Sequence, residues 1–413
     1  MPLIVQKYGG TSVADPDRMR AVADNVAFTR RHGNEVVVVV SAMGKATDNL
    51  IALASQVSST RHGREMDMLL TTGERVAAAL LTMALHDLGV DAVSFTGSQV
   101  GIITDTTHGK AKIVEVKGDR VRQALADGKV AVIAGFQGVS TDKEITTMGR
   151  GASDLTASAL AAALSADSCE IYTDVTGVFS ADPRIVPQAR KLSRISFDEM
   201  LEMAGSGSKV LALRSVEFAR NHGVALHVRS SFTWEPGTWV MNLDDPNNDD
   251  REKAMEDPII SGVVTDVSES KVTVLGVPDQ PGISALLFES LAEANINVDM
   301  IVQNTSTAGI TDISFTMPSA DMSVAEKIVQ RVAETISAEG VTHDQDIAKV
   351  SLVGAGMKTS PGIAAKMFRT LADEGINIEM ISTSTIRISC VVAQDDVERA
   401  VRALHAAFEL ETT

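Results

Sequence analysis

Lys7-Tyr8-Gly9-Gly10-Thr11-Ser12 sets an ammonium just ahead of a glycine pair and two hydroxyls. Without Cβ atoms the main chain can approach an anion closely, and the hydroxyls add donors. A fixed lysine beside such a loop offsets charge gathering on a phosphoryl group. A glycine turn joining strand to helix would explain the glycines but not the lysine. The stretch is no Walker loop, because no Gly-Lys-Ser/Thr closes the spacing. A second cluster, Thr147-Met148-Gly149-Arg150-Gly151-Ala152-Ser153-Asp154, opens an alanine-rich run. Ser153 or Asp154 would cap a helix there whatever else it did. Arg150, held between glycines, has the form of a bidentate grip on a carboxylate, which implies an anionic substrate.

Other polar groups read less sharply. Glu74, in Thr71-Thr72-Gly73-Glu74-Arg75, reads first as a solvated helix start, with a carboxylate facing a substrate ammonium as the functional alternative. Ala181-Asp182-Pro183-Arg184 is a turn by its proline, and Arg184 either is solvated or faces a polyphosphate. The eight histidines fall at no ligand-like spacing; His222 and His227 come closest and read as surface residues. Cys169 and Cys390 both lie in apolar strand-like runs and read as buried free thiols.

Positioning these groups requires an α/β scaffold. Strands are expected at Leu3 to Lys7, Glu35 to Val40, Ala92 to Phe95, Val130 to Ala134 and Glu170 to Thr173. Helices fall between them at Asp17 to Arg31, Thr72 to Leu88 and Ser153 to Ser165. That alternation predicts an open, mostly parallel sheet covered on both faces. Small and polar residues gather where the strands end, at Gly9-Gly10, Ser41-Ala42-Met43-Gly44-Lys45, Gly135-Phe136-Gln137-Gly138 and Thr173-Asp174. Ligands bind at that edge in such sheets.

The chain has 413 residues, enough for two or three domains, with 44% hydrophobic and 22% charged residues, which excludes a disordered class. Residues 1–245 carry 25 basic and 28 acidic side chains, whereas 246–413 carry 12 and 26. The overall charge of −17 argues against nucleic acid or an anionic membrane face as the main partner. Val36 to Val40 is too short an apolar run to span a bilayer and the N-terminus does not read as a signal peptide, so a cytoplasmic protein is expected. Character changes at Asp244-Asp245-Pro246-Asn247-Asn248-Asp249-Asp250, which reads as a linker over 246–262. Beyond it the chain repeats at an offset of 80 residues: Pro281-Gly282-Ile283 matches Pro361-Gly362-Ile363, Leu291-Ala292 matches Leu371-Ala372, and Ile296-Asn297 matches Ile376-Asn377. Two βαββαβ modules are expected, at 263–343 and 344–413.

Together these motifs resemble the aspartokinase family of the amino-acid kinase fold. The resemblance rests on Lys7 to Ser12, Val40-Ser41-Ala42-Met43-Gly44, Thr72-Gly73-Glu74, Gly149 to Asp154, Tyr172-Thr173-Asp174-Val175, Ala181 to Arg184 and Gly207-Ser208-Lys209-Val210-Leu211, in family order. The C-terminal repeats are similar to the family's paired ACT modules. The resemblance implies transfer of the ATP γ-phosphoryl group to the β-carboxylate of L-aspartate, with Mg2+ arriving on the nucleotide and no dedicated protein cage. It makes Lys7 and Asp154 the catalytic pair and assigns aspartate to Ser41, Thr47, Glu74, Arg150 and Ser153. It assigns the nucleotide to Lys7, Gly9, Gly10, Thr173, Asp174, Phe179, Arg184 and Lys209. Ala152 stands where the family usually has Gly, Leu155 where a polar residue is common, and Phe179 where Tyr is frequent, so packing alone is implied at Phe179.

For regulation, the resemblance implies feedback by lysine, threonine or both through Asp279, Gly282, Ser284, Asn297 and Gln303 in the first module and Ser360, Asn377, Ser382 and Thr383 in the second. The Pro-Gly pairs are also plain helix-starting turns. A homo-oligomer is implied, or a heterotetramer with a shorter chain from an internal start near Met255. Two rival readings remain: another amino-acid-kinase-fold phosphotransferase, and an ACT-based sensor without activity.

Overall fold

A computed structural model describes residues 1–59, 62–149, 151–243, 260–304, 309–358 and 360–411. The chain divides into two compact units. The first is Met1–Val178 with Lys191–Ala204 and Lys209–Glu252, and the second is Phe179–Arg190 and Gly205–Ser208 with Lys253–Thr413. The linker expected at 246–262 lies outside the described residues up to 259.

The first unit is built on an eight-stranded sheet in the order Arg194–Ser196, Thr238–Met241, Leu226–Ser230, Ser168–Thr173, Leu3–Tyr8, Glu35–Val40, Val130–Ala134 and Ala92–Phe95. Every neighbouring pair is parallel except Leu226–Ser230 with Thr238–Met241. The central valine run is buried, as a strand covered on both faces must be. Register brings Tyr172, Tyr8, Val40 and Ala134 into one row, so four strand ends and the loops that follow them share an edge. A helix at Pro16–Arg31, capped by Asp15, and one at Thr72–Asp87 pack on one face through Met19, Val22, Ala77 and Leu81. The alanine-rich Ala152–Leu164 helix packs against Leu3–Tyr8, and its Ser158 hydroxyl lies 2.9 Å from that of Ser215 on the Leu213–His222 helix.

One sequence reading about the histidines is corrected in this unit. His227 is not a surface residue: its side chain is 12% exposed, stacked on Trp239 and 3.8 Å from Glu170. Burial would raise the Glu170 carboxyl, yet His227, Arg229 and Gln6 hold it at about 2. His222 is exposed, as expected. Both cysteines are free and buried, and burial pushes the Cys390 thiol up to about 12.

In the second unit, one sheet runs Ile301–Gln303, Ile310–Pro318, Glu269–Pro278 and Gly340–Asp344, with the Ile283–Glu293 and Met322–Thr335 helices supplying Leu287, Leu291 and Val329 to its core. The other runs Met380–Thr383, Arg387–Ala393, Ile347–Val353 and Gly262–Asp266. Its last strand comes from ahead of the first repeat and occupies the place beside Ile347–Val353 that Gly340–Asp344 takes beside Glu269–Pro278. The second repeat therefore borrows its edge strand. Ala181, Val186 and Ala189 of the Phe179–Arg190 segment join this repeat's core, and Ser180 Oγ lies 3.0 Å from His405 Nε2 and donates to the Leu410 carbonyl at 2.9 Å.

Candidate active site

At the shared strand edge of the first unit, a cleft of about 860 Å3 is lined by Lys7, Gly10, Ser41, Thr47, Glu74, Ser153 and Asp154, among others. Lys7 is the penultimate residue of its strand, and its Nζ meets Asp154 Oδ1 at 2.6 Å, with both side chains only 10–12% exposed. Asp154 reaches it from the first turn of the Ala152–Leu164 helix, and its other oxygen accepts from the Ala212 amide at 3.4 Å. Neither Ser153 nor Asp154 caps that helix; Gly151 takes the cap position in the left-handed region at φ 75°. A Cβ on Gly151 would lie 2.7 Å from that of Ala212, so backbone conformation and space both demand glycine.

The glycine loop has the shape of an anion cradle. A Cβ on Gly10 would come within 2.9 Å of the Ala42 carbonyl, and the Gly10 carbonyl accepts from the Gly44 amide at 3.0 Å, which ties the loops after the first two strands together. Ser12 is buried with a hydroxyl that has no partner among the described residues. A buried donor left free beside a lysine and a glycine turn fits a phosphate oxygen as its partner.

Glu74 is not a solvated helix start: it is 4% exposed on the Thr72–Asp87 helix. Its Oε1 accepts from the Ala42 amide at 3.2 Å, and its Oε2 has no partner among the described residues. Burial pushes its carboxyl up to about 7, so this group gains most from a cationic ligand.

The remaining candidates are dispersed. Arg150 lies outside the described residues. Gly9 adjoins the Lys7 ammonium, and Thr173 ends its strand donating to Asp174. Lys209 is exposed. Phe179 packs against the second unit's core and Arg184 pairs with Asp182 at 2.6 Å, both in the segment that groups with that unit. Of the regulatory candidates, Ser284 donates to Gln303 at 3.0 Å, Gly282 begins its helix at φ 96°, and Asp279, Asn297 and Asn377 are exposed. The Ser360 amide lies 3.4 Å from the Met357 carbonyl, and Ser382 and Thr383 sit on the edge strand paired with Ser389 and Ile388. The sequence missed Asp67 and His108, which also line the cleft, and gave Thr147 no role of its own. Asp67 left one signal, an acid inside the apolar run Met66-Asp67-Met68-Leu69-Leu70.

Residues 2–230 match the amino acid kinase family, and residues 272–332 and 350–408 match the ACT domain. Aspartokinases of Corynebacterium efficiens and Mycolicibacterium smegmatis are 51% and 53% identical over 413 residues, covering 99% of this chain and 97% of theirs. The chain belongs to the aspartokinases. A crystal structure of E. coli aspartokinase III in complex with aspartate and ADP superposes with a TM-score of 0.82 at 26% identity, covering 98% of this chain and 99% of that one. The aspartokinase fold thus extends through both units, and the enzyme class is that of a kinase whose acceptor is a carboxyl group.

Proposed function

We propose that this aspartokinase transfers the γ-phosphoryl group of ATP to the β-carboxylate of L-aspartate, giving β-aspartyl phosphate and ADP. The observation that carries the proposal is the Lys7–Asp154 pair in one cleft with Glu74 and Ser41. ATP, with Mg2+ on its phosphates, is the source of the transferred group; among the described residues, no group of three or more His, Cys, Asp or Glu could hold a metal ion. The aspartate oxygen bonds to phosphorus as the bond to the bridging oxygen of ADP breaks, its electron pair leaving with ADP. Little covalent help is needed, so the chain's contribution is positioning and charge. Lys7 offsets charge on the transferred group, Asp154 holds Lys7, and Gly9, Gly10 and Ser12 face the phosphates. Glu74 takes the substrate ammonium, with Ser41, Thr47 and Ser153 as further donors and Arg150 on the α-carboxylate. Thr173, Asp174, Phe179, Arg184 and Lys209 complete the nucleotide site in this reading.

The regulatory reading is feedback by lysine, threonine or both through the ACT repeats, at the residues named for each. E. coli aspartokinase III has also been crystallised with lysine and aspartate, at a TM-score of 0.73 and 26% identity to this chain, which supports an amino-acid effector. We further propose a cytoplasmic homo-oligomer, or a heterotetramer with a short chain begun near Met255, which lies outside the described residues. A coupled ADP-release assay tests the whole scheme. Release that requires aspartate, and falls with lysine or threonine at millimolar concentration, is expected. Release without aspartate would indicate another phosphotransferase, and none under any condition an inactive sensor.

A further inference from the structure

The geometry points to His108, held by Asp67, as a second anchor for the α-carboxylate of the substrate, on the reading that aspartate is the acceptor. Asp67 lies on the short Arg64–Leu70 helix with its side chain 2% exposed. Its carboxylate accepts from three donors: His108 Nδ1 at 2.7 Å, the Gly109 amide at 3.2 Å and Thr147 Oγ1 at 2.5 Å. A carboxylate so buried is costly unless donors surround it, and here they come from two separate chain segments. Asp67 therefore fixes the His108-Gly109 turn and the Ile145–Thr147 strand as one piece.

Both segments line the cleft and meet near Gly149. Thr147 is two residues ahead of Gly149, and a Cβ on Gly149 would lie 3.4 Å from the Gly109 carbonyl. Gly149 thus lies against the segment that Asp67 holds, with Arg214 adding bonds to the carbonyls of Met148 at 2.8 Å and Ala111 at 3.0 Å. Because Nδ1 is committed to Asp67, the free ring nitrogen of His108 is Nε2, which has no hydrogen bond among the described residues. The ring lines the same cleft as Lys7, Ser41, Glu74 and Ser153, and its side chain is 24% exposed, enough to be reached by a ligand. The bond to Asp67 holds the ring in one orientation, and a doubly protonated ring would donate from Nε2 to a ligand carboxylate. An amino diacid presents two carboxylates and one ammonium. Lys7 serves the reacting end and Glu74 the ammonium, which leaves the α-carboxylate for His108 beside the Arg150 loop. Asp67 is a positioning residue, acting through His108 and Thr147.

Steady-state kinetics and calorimetry on the full chain test this. His108→Ala should raise the KM for aspartate about tenfold, the scale of one charge-assisted hydrogen bond, with kcat and the KM for ATP within about twofold. β-Alanine, which is aspartate without its α-carboxylate, should bind parent and His108→Ala equally in calorimetry. Asp67→Asn should show a smaller rise in the same KM, with unchanged thermal unfolding as the control for folding. An unchanged KM for aspartate in His108→Ala overturns the inference. So does a parallel loss of β-alanine affinity, or kcat and both KM values moving together. If the parent releases no ADP with aspartate, the phosphotransfer reading fails instead, and calorimetric aspartate binding to parent and His108→Ala then decides the anchor on its own.

Discussion

Two lysines on strands set an ion pair that lines a cleft against one enclosed between two repeats. Lys7 in the first unit and Lys349 in the second each meet a carboxylate closely, at 2.6 Å to Asp154 and at 2.7 and 2.5 Å to Glu269 and Asp299. Lys349 is 1% exposed and shared between two acids. Burial would discharge it, but Glu269 and Asp299 raise its proton affinity above the usual lysine value. It joins the Ile347–Val353 strand of the second repeat to the Glu269–Pro278 strand of the first. Lys7 is 12% exposed and opens on a cleft where Ser12 and Glu74 hold polar atoms without partners. The chemistry of the pair is the same. What differs is the setting: Lys349 is enclosed between the strands of two repeats, whereas Lys7 lines a cleft.

Breaking each pair should sharpen this contrast. Lys7→Ala should cost roughly 10^3- to 10^5-fold in aspartate-dependent ADP release, the worth of one cation on a transferred phosphoryl group, while thermal unfolding stays close to the parent's. A loss below tenfold would remove Lys7 from the mechanism. Lys349→Met should do the reverse, lowering the second unit's stability by about 3–5 kcal/mol because two carboxylates lose their partner. Replacing Lys349, Glu269 and Asp299 together by apolar residues should recover most of that in a denaturant titration.

Glu74→Gln should raise the KM for aspartate by about 1.5–3 kcal/mol, the range for a hydrogen bond to a charged group. It should also alter the pH dependence of stability. With the folded carboxyl at about 7 against 4.5 unfolded, the parent is favoured at low pH, loses that contribution between pH 4.5 and 7, and levels off above. Urea midpoints measured across that interval should lose this component in Glu74→Gln. The smallest effect is expected at Ser284→Ala, where one exposed bond to Gln303 is lost. Stability should change by less than about 0.5 kcal/mol, and any weakened response to lysine or threonine would then reflect ligand contact.

The main features of the first unit were legible because its signals are local. Five consecutive valines, glycines after strand ends and an alanine-rich helix each specify their own surroundings. Lys7 and Asp154 could be paired only through family resemblance, since they stand 147 positions apart and no local pattern joins them. Glu74 and His227 misled because a single polar residue at a helix start or on a strand carries no sign of burial; that depends on what Ala42 or Trp239 brings against it. Asp67 and His108 were silent for the same reason, as their partners come from three separate segments. The Phe179–Arg190 segment was read for its turn and for nucleotide contacts, and its grouping with the second repeat depends on contacts with His405 and Leu410 more than 200 positions away.

The borrowed strand Gly262–Asp266 makes the tandem indivisible. A fragment starting at 344 would carry a β-sheet with a bare flank along Ile347–Val353, an open template for self-association. A gene rearrangement that moved the last repeat alone would deliver an unfinished module, whereas a cut just before Gly262 would keep both sheets but strip Ala181, Val186 and Ala189 from the last repeat's core.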